Sequence, residues 1–424
     1  RENCTKCHGG VKQKGGLDLR SEETTVAGGE SGAAIVPGTP RDSLLFQLLQ
    51  PAADPHMPPK GQLAADEIEL VGTWIESLGA GAPSISEGAS AWSLPAGLDP
   101  TLAIDTFLAK SWAESGVDAP ERCADEPFVR RLYLDLLGRI PTAAERGDFL
   151  SRTSSNKRQE LARELLGSEA HARHLAETFG HVLLGRAGAK GKSRGEREKH
   201  LLPYLRWAFR HNRPWDQMGH DMVVGRPEEA EARGAIWFLY EQRDDPDLMA
   251  TTTSSALLGK QVQCAQCHDH PIAPEIGQRH YHGLVAFFSR TRNVDTPQGP
   301  ALGEQAAGGY SSFANLEGDS SETQLEFLTG EIIQEPDGKR EKDKTEFYLV
   351  EPPADWITPP KPDPKTKKVK LTTKVDRAPV PHFSRRAELA RVAIDENPDF
   401  SKAFVNRAWS LLLGRGIVDP VDHM

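Results

Sequence analysis

Two short strings constrain this chain more than any other feature of its 424 residues. They are Cys4-Thr5-Lys6-Cys7-His8 at the start and Cys264-Ala265-Gln266-Cys267-His268 past the middle. With 5 cysteines and 14 histidines, composition alone yields roughly 0.002 such strings per chain, so two are not chance. Two cysteines with a two-residue gap match the vinyl groups along one edge of a porphyrin. The histidine next in line then falls under the ring, where an imidazole nitrogen can coordinate iron. The strings therefore point to covalently attached haem c at two sites. Cys4 and Cys7 would hold one haem and Cys264 and Cys267 the other, with His8 and His268 as iron ligands. Zinc bound by both pairs would leave the two histidines unexplained, and so would a redox dithiol.

An electron-transfer haem needs a second axial ligand. For the first site the candidate is Met57, in His56-Met57-Pro58-Pro59, one of 5 methionines in the chain and the only one in its first eighty residues. The two prolines stiffen the loop and hold the thioether toward iron without an ordering cost. His56 is the alternative, better suited to face solvent or a propionate. The second site has no such braced partner. Met218, Met222, Met249, His280 and His282 lie near it in sequence, and the distal ligand stays open among them. Six-coordination is the expectation, because segments carrying the three methionines precede the motif and could fold over it. His270 is too close to His268 to reach round the ring and fits a propionate better.

Covalent haem places a mature chain on the oxidising, extracytoplasmic side. Free thiols are unusual there, so Cys123 is expected to be buried and inert, or an oddity. No run of eighteen apolar residues occurs, so this portion does not span a membrane. Acidic residues outnumber basic ones, 61 to 51, for a formal charge of −10. A phosphate-binding surface needs the opposite sign, which argues against nucleic acid as a partner. The one dense basic stretch, 361–374, is broken by prolines and reads as a solvated loop.

The punctuation divides the chain into a mainly α molecule. Residues 1–80 form a small cytochrome c-like helical unit, with helix expected over 44–50 and over 63–78, the latter stopped by Gly79. Residues 81–100, rich in Gly, Ala, Ser and Pro, read as a linker. From 101 to 289 the pattern is helical (104–114, 126–137, 142–150, 157–166, 169–184, 197–210 and 246–259), giving an all-α domain that holds the second string. Residues 290–383 read as long loops with a few strands, around 326–333, 347–350 and 369–375. Helix returns over 384–395 and 401–413. The stretch 384–424 then reads as the start of a truncated C-terminal domain, and since the first string begins at Cys4, any signal peptide is expected to have been removed or the segment to begin inside a longer product.

These residues resemble a planctomycete family of multidomain c-type cytochromes. The first eighty are similar to its cytochrome C domain through Cys4 to Gly10, Lys14-Gly-Gly-Leu-Asp-Leu, Gly28-Gly-Glu-Ser-Gly, Ile35-Val-Pro-Gly, Ser43-Leu-Leu, Met57-Pro-Pro-Lys-Gly and Trp74-Ile75. The helical middle resembles the family's second domain through Arg130-Arg-Leu-Tyr-Leu-Asp-Leu-Leu-Gly-Arg-Ile-Pro, Cys264-Ala-Gln-Cys-His-Asp-His-Pro and Ala286-Phe-Phe. Val405-Asn-Arg-Ala-Trp and Gly414-Arg-Gly-Ile-Val-Asp-Pro-Val-Asp look like the opening of the third. The resemblance implies haem c, a periplasmic or cell-surface location, and a role in redox chemistry or polysaccharide breakdown.

The leading expectation is an extracytoplasmic dihaem cytochrome that passes electrons to a redox partner protein or to a missing C-terminal domain. A dihaem peroxidase- or oxidase-like enzyme with one open haem is the first alternative. A polysaccharide-associated scaffold with structural haems is the second. The electron chemistry belongs to the cofactor, and the chain's task is attachment, ligation and burial.

Overall fold

The computed structural model describes residues 4, 7–8, 14–19, 22–59, 61–79, 100–185, 192–273, 275–314, 318–336, 342–364 and 369–424. The chain is mainly α, as its periodicity predicts, and divides into two compact units, Arg1–Glu121 and Arg122–Met424. Apart from Pro100, the linker expected over 81–100 lies outside the described residues.

The first unit contains α1 (Glu22–Ala27), α2 (Leu44–Leu48), α3 (Ala65–Gly79) and α4 (Pro100–Glu114). Pro51 and the prolines after it deny α2 a longer run, because each removes a backbone donor and fixes φ. Ser43 stands at the N-cap of α2, yet its hydroxyl does not cap. It donates to the Thr39 carbonyl (3.0 Å) and accepts from the Val36 N–H (2.9 Å), tying the helix start to the preceding loop. Ile68 and Ile75, one helical face of α3, are buried together with Ile35 and Leu49. Each such side chain contributes about 1.5–3 kcal/mol on burial.

The second unit opens with α5 (Asp125–Leu137), α6 (Ala143–Ser151) and α7 (Lys157–Leu166), whose apolar faces enclose Val129, Tyr133, Phe149 and Leu161. Thr142 and Glu145 form a reciprocal capping box at the start of α6, and Gly138, at φ 68°, closes α5. Then follow α8 (Glu169–Leu184), α9 (Lys192–Lys199), α10 (Leu201–Arg210), α11 (Trp215–Val223), α12 (Trp237–Tyr240), α13 (Pro246–Thr253) and α14 (Gln278–Phe288). The single helix expected over 197–210 is broken at His200. Pro203 has no N–H to donate, so it is accommodated in the first turn of a new helix. A π turn, Ser254–Leu258, extends α13 until Gly259 stops it at φ 64°.

Among the described residues, 290–383 hold four antiparallel strand pairs. They are β1 (Thr291–Thr296) with β2 (Gly299–Glu304), β3 (Ser312–Ala314) with β4 (Ser320–Glu322), β5 (Leu325–Glu326) with β6 (Ile332–Ile333), and β7 (Tyr348–Val350) with β8 (Val380–Pro381). The expected strand over 369–375 is reduced to one bridge, Lys374 to Asp295. The stretch expected over 326–333 is instead a tight β5–β6 hairpin. After α15 (Ala354–Ile357), the helices α16 (Arg385–Ala390) and α17 (Pro398–Leu413) return to the main core, where Leu389, Ala393, Ile394 and Phe400 pack with residues of α8 to α14.

Buried charge pins the loop region to those helices. Glu304 is fully buried and accepts from Arg226 (2.7 Å) and the Ser384 hydroxyl (2.6 Å). Glu335 accepts both arms of Arg385 (2.6 and 3.0 Å). Removing one member of such a pair strands a buried charge, at about 3–5 kcal/mol. Cys123, expected to be either buried and inert or an oddity, is exposed, with its carbonyl accepting from Arg158. It lies in an extended segment before α5 that has no core to enter.

Candidate haem centre

The first cysteine string forms a single turn. The N–H groups of Cys7 and His8 both donate to the Cys4 carbonyl (3.1 and 3.0 Å). Two further bonds fix this turn on the chain that follows, Lys14 N–H to the Cys7 carbonyl (2.9 Å) and Leu19 N–H to the His8 carbonyl (2.9 Å). Both thiols are free and half-buried.

Cys4, Cys7, His8 and Met57 face one cavity of about 490 Å³. That size lies within the range of about 300–1,000 Å³ typical of small-molecule and cofactor sites. Its walls are largely hydrocarbon, with Leu17, Leu19, Leu44, Leu45, Leu48 and Leu49 prominent among them. Helix α2 supplies three of those leucines and its C-cap, Leu49, a fourth, so its packing face and the cavity wall are the same surface. The Met57 loop is anchored there, because its N–H donates to the Leu48 carbonyl (2.8 Å).

One atom in this cavity lacks what burial requires. His8 Nδ1 is buried and has no hydrogen-bond partner among the described residues. An unsatisfied buried imidazole nitrogen costs about 1–3 kcal/mol. An apolar cavity lined by two thiols, a thioether and such an imidazole is the donor set of a c-type haem, and the residues fit that group. His56, the alternative ligand, is engaged elsewhere. Its Nε2 meets the Gln62 side-chain oxygen at 2.7 Å and its Nδ1 the Pro58 carbonyl at 3.1 Å. Of the two, only Met57 lines the cavity.

The loop over residues 28–32 is a further wall that residue type alone does not announce. Glu30 N–H donates to the Gly15 carbonyl (2.7 Å), and Gly29 packs on Gly15 so closely that a Cβ there would sit 2.3 Å from its oxygen. Glycine is required for that approach. The sequence signals were the density of glycines in two separate stretches and their likeness to the cytochrome C domain's motifs.

The second string lies in a short 3₁₀ turn, Gln263–Gln266, and its setting differs. Cys264, Cys267 and His268 are all exposed, while Ala265 alone points into the core. His268 Nδ1 faces the Asp269 carbonyl oxygen at 2.8 Å, an acceptor. That contact places the proton on Nδ1 and leaves the Nε2 lone pair free for a metal.

Helix α14 braces this turn. The His282 imidazole bonds the Gln266 backbone and stacks on Phe313, with ring centroids 4.6 Å apart and planes 12° apart. The Tyr281 hydroxyl donates to Asp247 (2.8 Å), fastening α14 to α13. Burial holds the His282 pKa below its ordinary value, and that of His280 likewise. His280 Nδ1 accepts from the Gly277 N–H (3.0 Å) and so serves the start of α14.

Met218, Met222 and Met249 are packed in the interior, each at most 1% exposed, whereas the Cys264–His268 side chains stand at the surface. The expectation that they fold over the motif is therefore not met. They belong to the buried cluster that holds the Leu and Phe side chains of α8, α10 and α14. His270 Nδ1 is taken by the N–H groups of Ala273 (3.0 Å) and Ile272 (3.3 Å), which leaves that nitrogen no propionate to meet. Among the described residues, no three His, Cys, Asp or Glu side chains gather as a conventional metal site. No helix among them is long and apolar enough to cross a membrane.

Residues 4–61 match the family described as Planctomycete cytochrome C, and residues 103–293 match one described as Protein of unknown function (DUF1549). The first match takes in Cys4, Cys7, His8 and Met57, and the second takes in Cys264, Cys267 and His268. No curated protein and no solved structure matches the chain.

Proposed function

We propose, for a chain that carries a Planctomycete cytochrome C domain and hence covalently bound haem c, that the protein is an extracytoplasmic dihaem electron carrier. The observation that carries this reading is the cavity on which Cys4, Cys7, His8 and Met57 converge. Haem held there would supply one-electron chemistry at iron. Cys4 and Cys7 would attach it, and His8 and Met57 would ligate it from opposite sides. The leucines of α2 would exclude water and keep the surrounding dielectric low. A thioether opposite the imidazole raises the reduction potential relative to a second imidazole, which suits an acceptor of electrons.

The second haem would be attached through Cys264 and Cys267, with His268 as ligand. Because those side chains are exposed, this site is the natural point of contact for a redox partner protein or for a further domain of a longer chain. Val405-Asn-Arg-Ala-Trp and the string beginning at Gly414 keep their likeness to the family's third domain as part of this reading, as do the domain limits 1–80, 101–289, 290–383 and 384–424. The location is periplasmic or cell-surface.

The test is retention of haem. Denatured protein should keep two equivalents through acid–acetone extraction, with haem masses on the peptides containing residues 4–8 and 264–268. Replacing Cys264 and Cys267 with Ala should remove one equivalent and spare the other. Fully extractable haem, or zinc in its place, would overturn the reading. Peroxide turnover that disappears with Cys264 and Cys267 would move the assignment from carrier to enzyme.

A further inference from the structure

We propose that Lys14, with the Ser31 hydroxyl beside it, forms the carboxylate-binding edge of the first cavity and sets the potential of its haem. The proposal rests on the haem reading of that cavity. Haem carries two propionates, and an ionised carboxylate is not stable against hydrocarbon without a partner. Apart from the two cysteines, His8 and Met57, the described lining residues are Leu, Ala, Pro and Gly with two exceptions, Lys14 and Ser31. Lys14 is the sole charged side chain among them.

These two residues are 17 positions apart in sequence (31 − 14) and are brought to one edge by backbone. Lys14–Gly16 is a 3₁₀ turn, and the Glu30 N–H donates to the carbonyl of Gly15 within it (2.7 Å). Gly29 and Gly32 pair with each other and close the loop that carries Ser31. Lys14 is also fixed to the attachment turn through its N–H to the Cys7 carbonyl (2.9 Å). Both Lys14 and Ser31 are exposed, while the α2 leucines that line the cavity are half-buried or buried. The polar edge is thus the solvent-facing one, where propionates can keep part of their hydration. His56, the sequence-based candidate for this task, has both ring nitrogens occupied.

A cation beside a propionate neutralises charge that otherwise stabilises ferric iron, so it raises the potential and lowers the propionate pKa. The experiment follows potential against pH in the haem-loaded full chain with Cys264 and Cys267 replaced by Ala, leaving the first haem alone. Lys14→Gln should favour the oxidised state by up to about tenfold, equivalent to 59 mV for a one-electron couple. It should also move the pH-dependent part of the curve upward. Lys14→Glu should do both more strongly, and Lys14→Arg should do neither. High salt should shrink the difference between wild type and Lys14→Gln, since the pair is exposed. Haem attached at Cys4 and Cys7, with potential and pH profile unmoved in Lys14→Gln and Lys14→Glu, would overturn this proposal alone. An unmodified peptide at residues 4–8 in the wild type would overturn the haem reading and this proposal with it.

Discussion

The two CxxCH turns carry the same five-residue pattern in opposite surroundings. The first folds its thiols and imidazole toward an apolar cavity, across which Met57 is held by a backbone bond to α2. The second turns only Ala265 inward and leaves Cys264, Cys267 and His268 at the surface. On the proposed reading, the motif would supply the attachment cysteines and a proximal histidine, and nothing more. Enclosure comes from what the chain places opposite. In the first unit that is a short leucine-rich helix and two glycine loops. In the second it is the flank of α14, with His282 stacked on Phe313.

If enclosure is the difference, the largest contrast should appear in ligand access. Carbon monoxide added to the reduced protein should reach a haem at the exposed Cys264 and Cys267 faster than it reaches the enclosed first one, a difference in access that leaves the carrier reading standing unless peroxide turnover accompanies it. Met57→Ala should open the first haem as well, raising its binding rate by orders of magnitude. Slow binding at both haems of the wild type would show that the second iron recruits a strong distal ligand despite its exposure, and the contrast would fail.

The next effect in size sharpens the role of the glycine loop. A Cβ at Gly29 collides with the Gly15 carbonyl at 2.3 Å. Gly29→Ala should destabilise the first unit by about 1–3 kcal/mol, the usual cost of overpacking, and lower its haem loading. Loading at Cys264 and Cys267 should not change. Equal losses at both sites by peptide mass analysis would mean that the loop serves folding in general and not this cavity.

Phe313→Ala makes the converse perturbation. Losing the stack on His282 should cost about 0.5–1.5 kcal/mol beyond the burial itself, loosen the Gln263–Gln266 turn, and spare the spectrum of the first haem. Hydrogen exchange at residues 263–268 is the measure.

The smallest expected effect is in pH. Burial lowers the pKa values of His280 and His282 below the ordinary imidazole value of about 6.5. The unfolded chain then binds more protons than the folded one below that value. Stability is full above it and falls as pH drops through it toward the folded-state values. Protection of residues 263–268 should therefore decline between about pH 7.5 and pH 5, with residues 44–49 unaffected.

The candidate attachment residues stand out in the sequence, because CxxCH is a local code read within one turn. Met57, singled out by its scarcity and by Pro58 and Pro59, lines one cavity with Cys4, Cys7 and His8. Helices α5 to α8 followed their apolar period within a residue or two, and Gly138 and Gly259 marked real stops. The residues that complete the first cavity were not legible as such. Lys14 and Ser31 come to line one cavity through the Glu30-to-Gly15 backbone bond and the packing of Gly29 on Gly15, which no periodicity encodes. The break at His200 left no local mark because α9 (Lys192–Lys199) is polar throughout and has no apolar period to end, while Pro203 decides where the next helix can begin. The fixing of the 290–383 loops depends on Glu304 and Glu335 finding arginines far away in sequence. Pairings between distant charges leave no local trace.

The most direct test of the account is the far-red absorption of the oxidised first haem, measured with Cys264 and Cys267 replaced by Ala so that no other haem contributes. Ligation by His8 and Met57 predicts the weak thioether-to-ferric-iron band in that protein and its loss in Met57→Ala, with covalent haem retained in both. A spectrum identical with and without Met57 would place the sixth ligand elsewhere and contradict the reading of this cavity as an enclosed His/Met haem site.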